Sequence, residues 1–243
     1  MPDAAPDQDV DLSVVIPAYN EEDRLPPSLV QMADYLAHSP LKSELIVVDD
    51  GSSDATVTRV EALQAEGIPL TLIRHPVNRG KGAAVATGVL ASKGEYVLFT
   101  DADLSTPPED VEALLAALRA GADLAIGSRA LDRTLTQVHQ PWMRDRMGRV
   151  FNMFVQAIVL PGLQDTQCGF KAFRGDLGRQ IFAEMESTGF EFDVELLYRA
   201  RRLGAVIKEI PVHWRNSADT RVSAVRDSSK MFVALFRIRR KVH

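Results

Sequence analysis

The sequence predicts a doubly wound α/β fold, a mostly parallel sheet with helices on both faces. Three observations carry that expectation. Over residues 12–127 short apolar strand patterns alternate with helical ones, the βαβα rhythm that builds parallel sheets. The polar, Gly-rich and Asp-rich motifs of the first half gather at strand ends, where open α/β sheets bind ligands. A length of 243 residues with 46% apolar content supports one sizeable core.

The elements follow in order. Residues 12–16 form a β-branched strand, and a helix covers about 23–37. Residues 44–48 are the second strand, after which Ser52-Ser53-Asp54 caps a helix ending near Gly67. The third strand is 70–74, followed by a helix over 80–91. The fourth is 96–100, and Thr106-Pro107-Pro108-Glu109 opens the next helix with a capping-type residue and a proline in its first turn. The fifth strand is 123–127. The rhythm then loosens into a helix over 140–160, a strand over 170–174, a helix over 191–203 and a strand over 205–212. One domain over 12–225 is expected, after an acidic, Pro- and Ala-rich disordered tail over 1–11 and before a basic amphipathic helix over 226–243.

Bulk properties narrow the function. A net charge of −5 gives no reason to expect a nucleic-acid partner. The single cysteine, Cys168, excludes an internal disulfide and reads as a small core residue rather than a nucleophile. The longest apolar stretch, 153–163, is too short to span a bilayer and is interrupted by Pro161. The tail from Arg226 carries Lys230, Arg237, Arg239, Arg240 and Lys241 against Asp227. Its apolar residues Met231, Phe232, Ala234, Leu235 and Ile238 recur at helical spacing. Two readings stand: a helix lying on an anionic membrane surface, or one packed on the core.

The motifs are chemical. Glu95 to Asp103 is a strand that ends in Asp101 and Asp103, two carboxylates that alternation can place on one side. Hard oxygen ligands there suit Mg2+ or Mn2+, bound by one or two carboxylates plus substrate phosphates. Asp-x-Asp alone also reads as a solvated turn. In Asn78-Arg79-Gly80-Lys81-Gly82 the glycines permit close backbone approach, and Lys81 at a helix start offers positive potential to phosphates. Neither the Walker spacing nor Gly-x-Gly-x-x-Gly is present.

Val14-Val15-Ile16-Pro17-Ala18-Tyr19-Asn20-Glu21, Val47-Val48-Asp49-Asp50-Gly51-Ser52-Ser53-Asp54, Asn78 to Gly82 and Asp101-Ala102-Asp103, in that order, closely resemble family 2 glycosyltransferases of the GT-A fold. The resemblance covers nearly all of residues 12–240. Gly127-Ser128-Arg129, Asp165 to Lys171, Phe190 to Leu197 and His213-Trp214 are similar to the polyprenyl-phosphate sugar transferases, above all the dolichyl-phosphate β-glucosyltransferases, with the dolichyl-phosphate mannose synthases next.

The resemblance implies a nucleotide pocket of Pro17, Ala18, Tyr19, Glu21, Asp49, Asp50 and Lys81, with Asp49 accepting from base N–H or ribose hydroxyls. It puts the ion on Asp103, with Asp101 either a second ligand or a contact to ribose or to the ion's surroundings. Catalysis would rest on Asp101, Asp103 and Arg129. Cations for two phosphate groups are sought in Arg129, Arg133, Arg144 and Lys171. Asp165, Gln167, Glu191 and Asp193 would line the sugar and acceptor pocket, although Asp193 and Glu195 equally suit a solvated helix face. Trp214 stacks on sugar or acceptor, or packs in the core.

The implied reaction is inverting transfer of a hexose, from UDP-glucose ahead of GDP-mannose, onto a polyprenyl phosphate. It would occur peripherally at the cytoplasmic membrane face. A phosphate acceptor with a second pKa of about 6 is largely ionised at pH 7 and needs no general base. A soluble hydroxyl acceptor would need one. A non-catalytic nucleotide-sugar binder is the alternative of another class.

Overall fold

The computed structural model describes residues 10–138, 153–156, 158–215 and 235–240. The sheet has seven strands: β1 Leu12–Ala18, β2 Ser43–Asp49, β3 Thr71–Arg74, β4 Tyr96–Thr100, β5 Leu124–Ser128, β7 Phe170–Arg174 and β8 Ile207–Pro211, in the order β3-β2-β1-β4-β7-β5-β8. Two short strands, β6 Thr136–Val138 and β9 Trp214–Arg215, pair apart from it.

Period-2 alternation divides the strands between two cores. Leu12, Val14 and Ile16 of β1, with Leu98 of β4, face helices α1 Leu25–His38, α2 Thr56–Ala65 and α4 Val111–Arg119. Val15, Val97 and Phe99 face α3 Lys81–Ala91, α5 Gly175–Ala183 and α6 Phe192–Arg202 on the other side. The second core also receives Leu235 and Ile238, both buried, from the helical residues 235–240. Of the two readings of that apolar stripe, the described part packs on the core.

Every strand pair is parallel except those made by β7, which runs antiparallel between β4 and β5. The insertion decides what stands at the ligand edge. Phe170, where β7 begins, pairs with Thr100, where β4 ends. The loop over 165–169 therefore meets Asp101 at the edge where β1, β2, β3, β4, β5 and β8 end.

Differences from the sequence expectation have local causes. The turn after Thr106 first makes a 3-10 turn, Pro108–Asp110, before α4. Asp110 does not cap α4, because its carboxylate accepts from the backbone N–H of His213 at 2.6 Å and lies 2.9 Å from the His213 ring. Ser52 and Ser53 bond to Asn20 rather than capping α2. Asp54 alone reaches the helix start, accepting from the Thr56 N–H at 3.0 Å. The helix α5 was not foreseen: its sequence, Gly-Asp-Leu-Gly-Arg-Gln-Ile-Phe-Ala, carries two poor helix formers. The expected helix over 140–160 falls mostly outside the described residues, as does the tail over 1–9.

Gly178 of α5 shows why that helix tolerates glycine. A Cβ there would lie 2.1 and 2.3 Å from two atoms of the buried Phe173 ring. Ala in place of Gly gains about 1 kcal/mol of helix propensity, whereas overfilling a packed core costs about 1–3 kcal/mol. Gly178→Ala is therefore expected to lower stability, by roughly 1 kcal/mol or more net, in urea unfolding at unchanged slope. A stabilised variant would show that Phe173 moves aside freely.

Candidate active site

The first wall of the cleft is built by the ends of β1 and β2. Pro17 and Ala18 are buried where β1 stops, Tyr19 is 41% exposed, and Asn20 turns the chain in the left-handed region at φ 54°. Asn tolerates that conformation, and its side chain accepts from the Ser53 N–H at 2.8 Å. The Asp49 carboxylate uses Oδ2 to accept from the Ser52 N–H at 3.2 Å. Its Oδ1 is buried with no hydrogen-bond partner among the described residues. Asp49 lines a concavity of about 330 Å³ together with Gly51, Ser52, Arg74, His75 and Pro76. A buried acceptor without a donor is costly, so Asp49 Oδ1 is suited to accept a hydrogen bond.

Asp50 faces the other way. It is 2% exposed and accepts from the N–H groups of Arg79 at 2.9 Å and Gly80 at 2.7 Å, with the His75 ring at 2.7 Å. Placed by sequence in the nucleotide pocket, it is spent on holding the 78–82 loop. The glycines of that loop serve a neighbour other than phosphate. Gly80, at φ 101°, would put a Cβ 2.4 Å from the Thr188 carbonyl, and Gly82 would put one 2.7 Å from Ser187 O and from Phe192 Cβ. The close approach is by the chain's own 187–189 segment, which also accepts from the Ala83 N–H.

Lys81 binds Asp101 Oδ1 at 2.6 Å and sits 5.9 Å from the ring centres of Phe190 and Phe192. Burial pulls its ammonium down, but Asp101 and then Asp193 outweigh that and hold its pKa above the ordinary value. Asp101 fits because residue 169 is glycine: a Cβ there would lie 2.1 Å from Asp101 Oδ2. Asp103 accepts at Oδ1 from the Ser105 N–H (3.1 Å) and hydroxyl (2.9 Å), and Leu104 between them is held at φ 42°. Asp103 Oδ2 lies 3.5 Å from Arg24 Nη1. Arg24 itself forks onto both oxygens of Glu21, at 2.7 and 2.5 Å.

This edge fits a divalent cation as far as its donor set goes. The Asp101 side chain is 39% exposed, and the oxygens are hard. Among the described residues no three His, Cys, Asp or Glu side chains converge on a metal position. The protein thus offers two carboxylates, and other ligands must come from what binds with the ion.

The second wall comes from β5, β7 and α6. Arg129 continues from β5 and donates from its backbone N, Nε and Nη2 to Asp165 at 3.0, 2.7 and 2.8 Å. Burial works against the Arg129 charge, but Asp165 more than restores it. The Asp165 N–H in turn binds Glu209, and Gln167 donates its N–H to Asp165. The guanidinium lies 5.5 Å from the Trp214 ring centre. Trp214 precedes Arg215, whose N–H binds the Ser105 carbonyl at 2.8 Å, so the Asp103 turn and the Arg129 wall are joined.

Lys171 is fully buried. Its ammonium donates to the Cys168 carbonyl at 2.6 Å and to Asp193, and it lies 5.2 Å from the Phe99 ring centre. It is thus a core cation rather than one facing the cleft. Burial pushes the Asp193 carboxyl up, against the pull of Lys171 and Lys81, and the Cys168 thiol up to about 12. Glu195 accepts from the Glu186 and Ser187 N–H groups and from Arg199, so α6 turns this side chain inward too. Glu191 lies 3.6 Å from Arg237 of the 235–240 turn. Arg133 is exposed on the 3-10 turn Arg133–Leu135, and Arg144 lies outside the described residues. Sequence reasoning missed Arg24, His75 and Glu209. The spacing of Arg24 from Glu21, one helical turn, is the only signal any of them left.

The model of glycosyl transferase family 2 matches residues 13–182. The dolichyl-phosphate beta-glucosyltransferase of Dictyostelium discoideum is 35% identical over 248 residues, covering 96% of this chain and 75% of that protein. The Saccharomyces cerevisiae enzyme of the same name is 35% identical, with the same coverage, and the Homo sapiens one is 36% identical, covering 84% and 67%. Among solved structures, glucosyl-3-phosphoglycerate synthase from Mycobacterium tuberculosis in complex with uridine diphosphate matches with a TM-score of 0.71 at 23% identity, covering 96% of this chain and 81% of that one. The same enzyme in complex with Mn2+ and UDP-glucose gives 0.71 at 23%, covering 95% and 79%. The fold is GT-A.

The Arg129–Asp165 pair has a pH signature. Burial alone would raise the Asp165 carboxyl, but the Arg129 guanidinium and its hydrogen bonds hold it below the usual range. A depressed folded pKa means the pair stabilises the fold above the unfolded value of about 3.9 and loses that contribution as pH falls through the folded one. The stability gap between the native protein and Asp165→Asn, read from urea midpoints, should therefore narrow below about pH 4. A gap independent of pH would contradict the pairing.

Proposed function

The chain belongs to glycosyl transferase family 2, and from that premise we propose that it moves glucose from UDP-glucose onto a polyprenyl phosphate with inversion at the anomeric carbon. The observation that carries the acceptor assignment is the state of the carboxylates on the second wall. Asp165 is forked by Arg129, Asp193 is paired with Lys171, Glu195 is held by Arg199 and two N–H groups, and Glu191 faces Arg237. A hydroxyl acceptor needs a carboxylate ready to take its proton. A phosphate arrives ionised and attacks as it is. Side chains already committed to cations suit the phosphate.

The base assignment rests on Asp49. Its single unpartnered acceptor, Oδ1, matches uracil, which shows one N–H between two carbonyls. The guanine edge also carries an amino group and calls for a second acceptor. UDP-glucose is thus favoured over GDP-mannose, in keeping with the glucosyltransferase names of the relatives.

Asp103, with Asp101 beside it, would hold Mg2+ or Mn2+. When bound, the ion supplies charge neutralisation for the diphosphate as it leaves. The residues of the chain do the rest. Lys81 fixes Asp101, and Arg129, braced by Asp165, presents its remaining guanidinium edge to phosphate. One phosphate oxygen of the acceptor forms the new bond to the anomeric carbon as the bond from that carbon to the β-phosphate oxygen breaks, releasing UDP. On the outside of the 235–240 turn Phe236, Arg237, Arg239 and Arg240 are exposed, which supports peripheral contact with an anionic membrane surface.

Transfer assays with UDP-glucose and GDP-mannose, a short-chain polyprenyl phosphate and added Mn2+ test this reading. UDP-glucose should be the better donor, and Asp103→Ala should cut turnover on the order of 10²–10³-fold without loss of fold. Preference for GDP-mannose, or transfer only to hydroxyl acceptors, would overturn it. For Glu191→Gln, the alkaline plateau and acid limb of the kcat/KM pH profile should match those of the native enzyme. Loss of the acid limb would identify Glu191 as a base and point to a hydroxyl acceptor.

A further inference from the structure

We propose that Arg24 is a positioning residue that sets how tightly Asp103 holds a divalent ion, keeping that affinity low until a nucleoside diphosphate binds. The proposal rests on the reading of Asp103 as the metal carboxylate.

Arg24 sits at the start of α1, in the turn that leaves β1. Its backbone N–H and that of Leu25 both bind the Glu21 carbonyl, and the Glu21 N–H binds Thr56 Oγ1 at 2.7 Å. The turn is therefore fixed from both sides. Nε and Nη2 take the two oxygens of Glu21, a planar fork that leaves the guanidinium little freedom. Its Nη1 then donates a long, charge-assisted hydrogen bond to Asp103 Oδ2 at 3.5 Å.

The side chains of Glu21, Arg24 and Asp103 are 10%, 22% and 17% exposed, so solvent screens their charges poorly. Asp103 Oδ1 is engaged by Ser105, and the other oxygen, Oδ2, is the one that Arg24 faces. A fixed unit of positive charge beside that oxygen opposes a doubly charged ion at short range. Without it, Glu21 and Asp103 would repel each other and together draw a cation from solution. With it, one of those two negative charges is offset, and an ion is held well only when diphosphate oxygens add negative charge. By linkage the same interaction strengthens nucleotide binding when the ion is present. Arg24 thus couples the two ligands without touching the reacting atoms.

Mn2+ binding to the full chain, read from the electron paramagnetic resonance of free Mn2+, tests this with and without UDP. Arg24→Gln should bind Mn2+ without nucleotide about tenfold more tightly than the native protein, and the further gain on adding UDP should shrink to match. Arg24→Lys should stay near the native behaviour. Arg24→Met serves the same purpose should the Gln variant not fold. The tightening should survive in Glu21→Gln combined with Arg24→Gln; if it vanishes there, Glu21 has become the ligand and the proposal fails. Native UDP-dependent Mn2+ binding with unchanged or weaker nucleotide-free binding in Arg24→Gln overturns the proposal alone. No Mn2+ binding by any form, even with UDP, overturns the metal reading as well.

Discussion

Charge compensation inside a half-buried acidic cleft is the constraint on which this structure depends. Carboxylates crowd the edge of the sheet, and each of those considered as catalytic or acceptor groups is matched from within the chain. Lys81 meets Asp101, Arg24 meets Glu21 and Asp103, Arg129 meets Asp165, and Lys171 meets Asp193. Like charges at such spacing would otherwise raise each other's pKa and neutralise by protonation, leaving no anionic edge. The Lys171–Asp193 pair shows the stakes. Both members are buried, and deleting one partner of such a pair typically costs about 3–5 kcal/mol, because the other is stranded away from water.

The fold supplies these partners from segments far apart in sequence. Six strands end at one edge, and β7 adds its beginning there because it runs the opposite way. That single reversal places Gly169 under Asp101 and Lys171 beneath α6. On the other wall Asp50 gathers the N–H groups of Arg79 and Gly80, and the loop so held is packed under the 187–189 backbone. Lys81 emerges from that junction between Phe190 and Phe192. The two walls are therefore one mechanical unit, joined through a loop that has room for glycine alone.

What the sequence revealed was what local pattern encodes. Strand-end motifs pointed to Asp49, Asp101, Asp103 and Lys81 as candidates, and the strand boundaries were legible within about two residues because burial on both faces leaves unbroken apolar runs. Pairing was not legible. The glycines of the 80–82 turn were read as room for phosphate, and the structure gives that room to Thr188 and Gly189. Lys171 reads as a cation for phosphate, since nothing in its neighbourhood announces a buried ion pair with a residue 22 positions away. Arg24 passed unnoticed because its partner Asp103 is 79 positions distant. Helix α5 escaped because tertiary packing on Phe173, not propensity, admits its glycines.

A cleft whose carboxylates already face cations of the chain also constrains how charged substrates enter it. A diphosphate brought alone would meet Asp101 and Asp103 with their cations already engaged, and so would gain little Coulomb energy. Brought with a divalent ion, it adds nearly balanced charge, and the pairs at Lys81 and Arg24 need only loosen rather than break. In the proposed reaction the acceptor phosphate would enter on the opposite wall, where Asp165 sustains the Arg129 charge. The leaving group and the nucleophile would then be neutralised by different partners, the ion for one and a braced guanidinium for the other. The reaction can then shift negative charge from acceptor to donor without either phosphate having to share a cation, and that separation is what the internal pairing of the carboxylates makes possible.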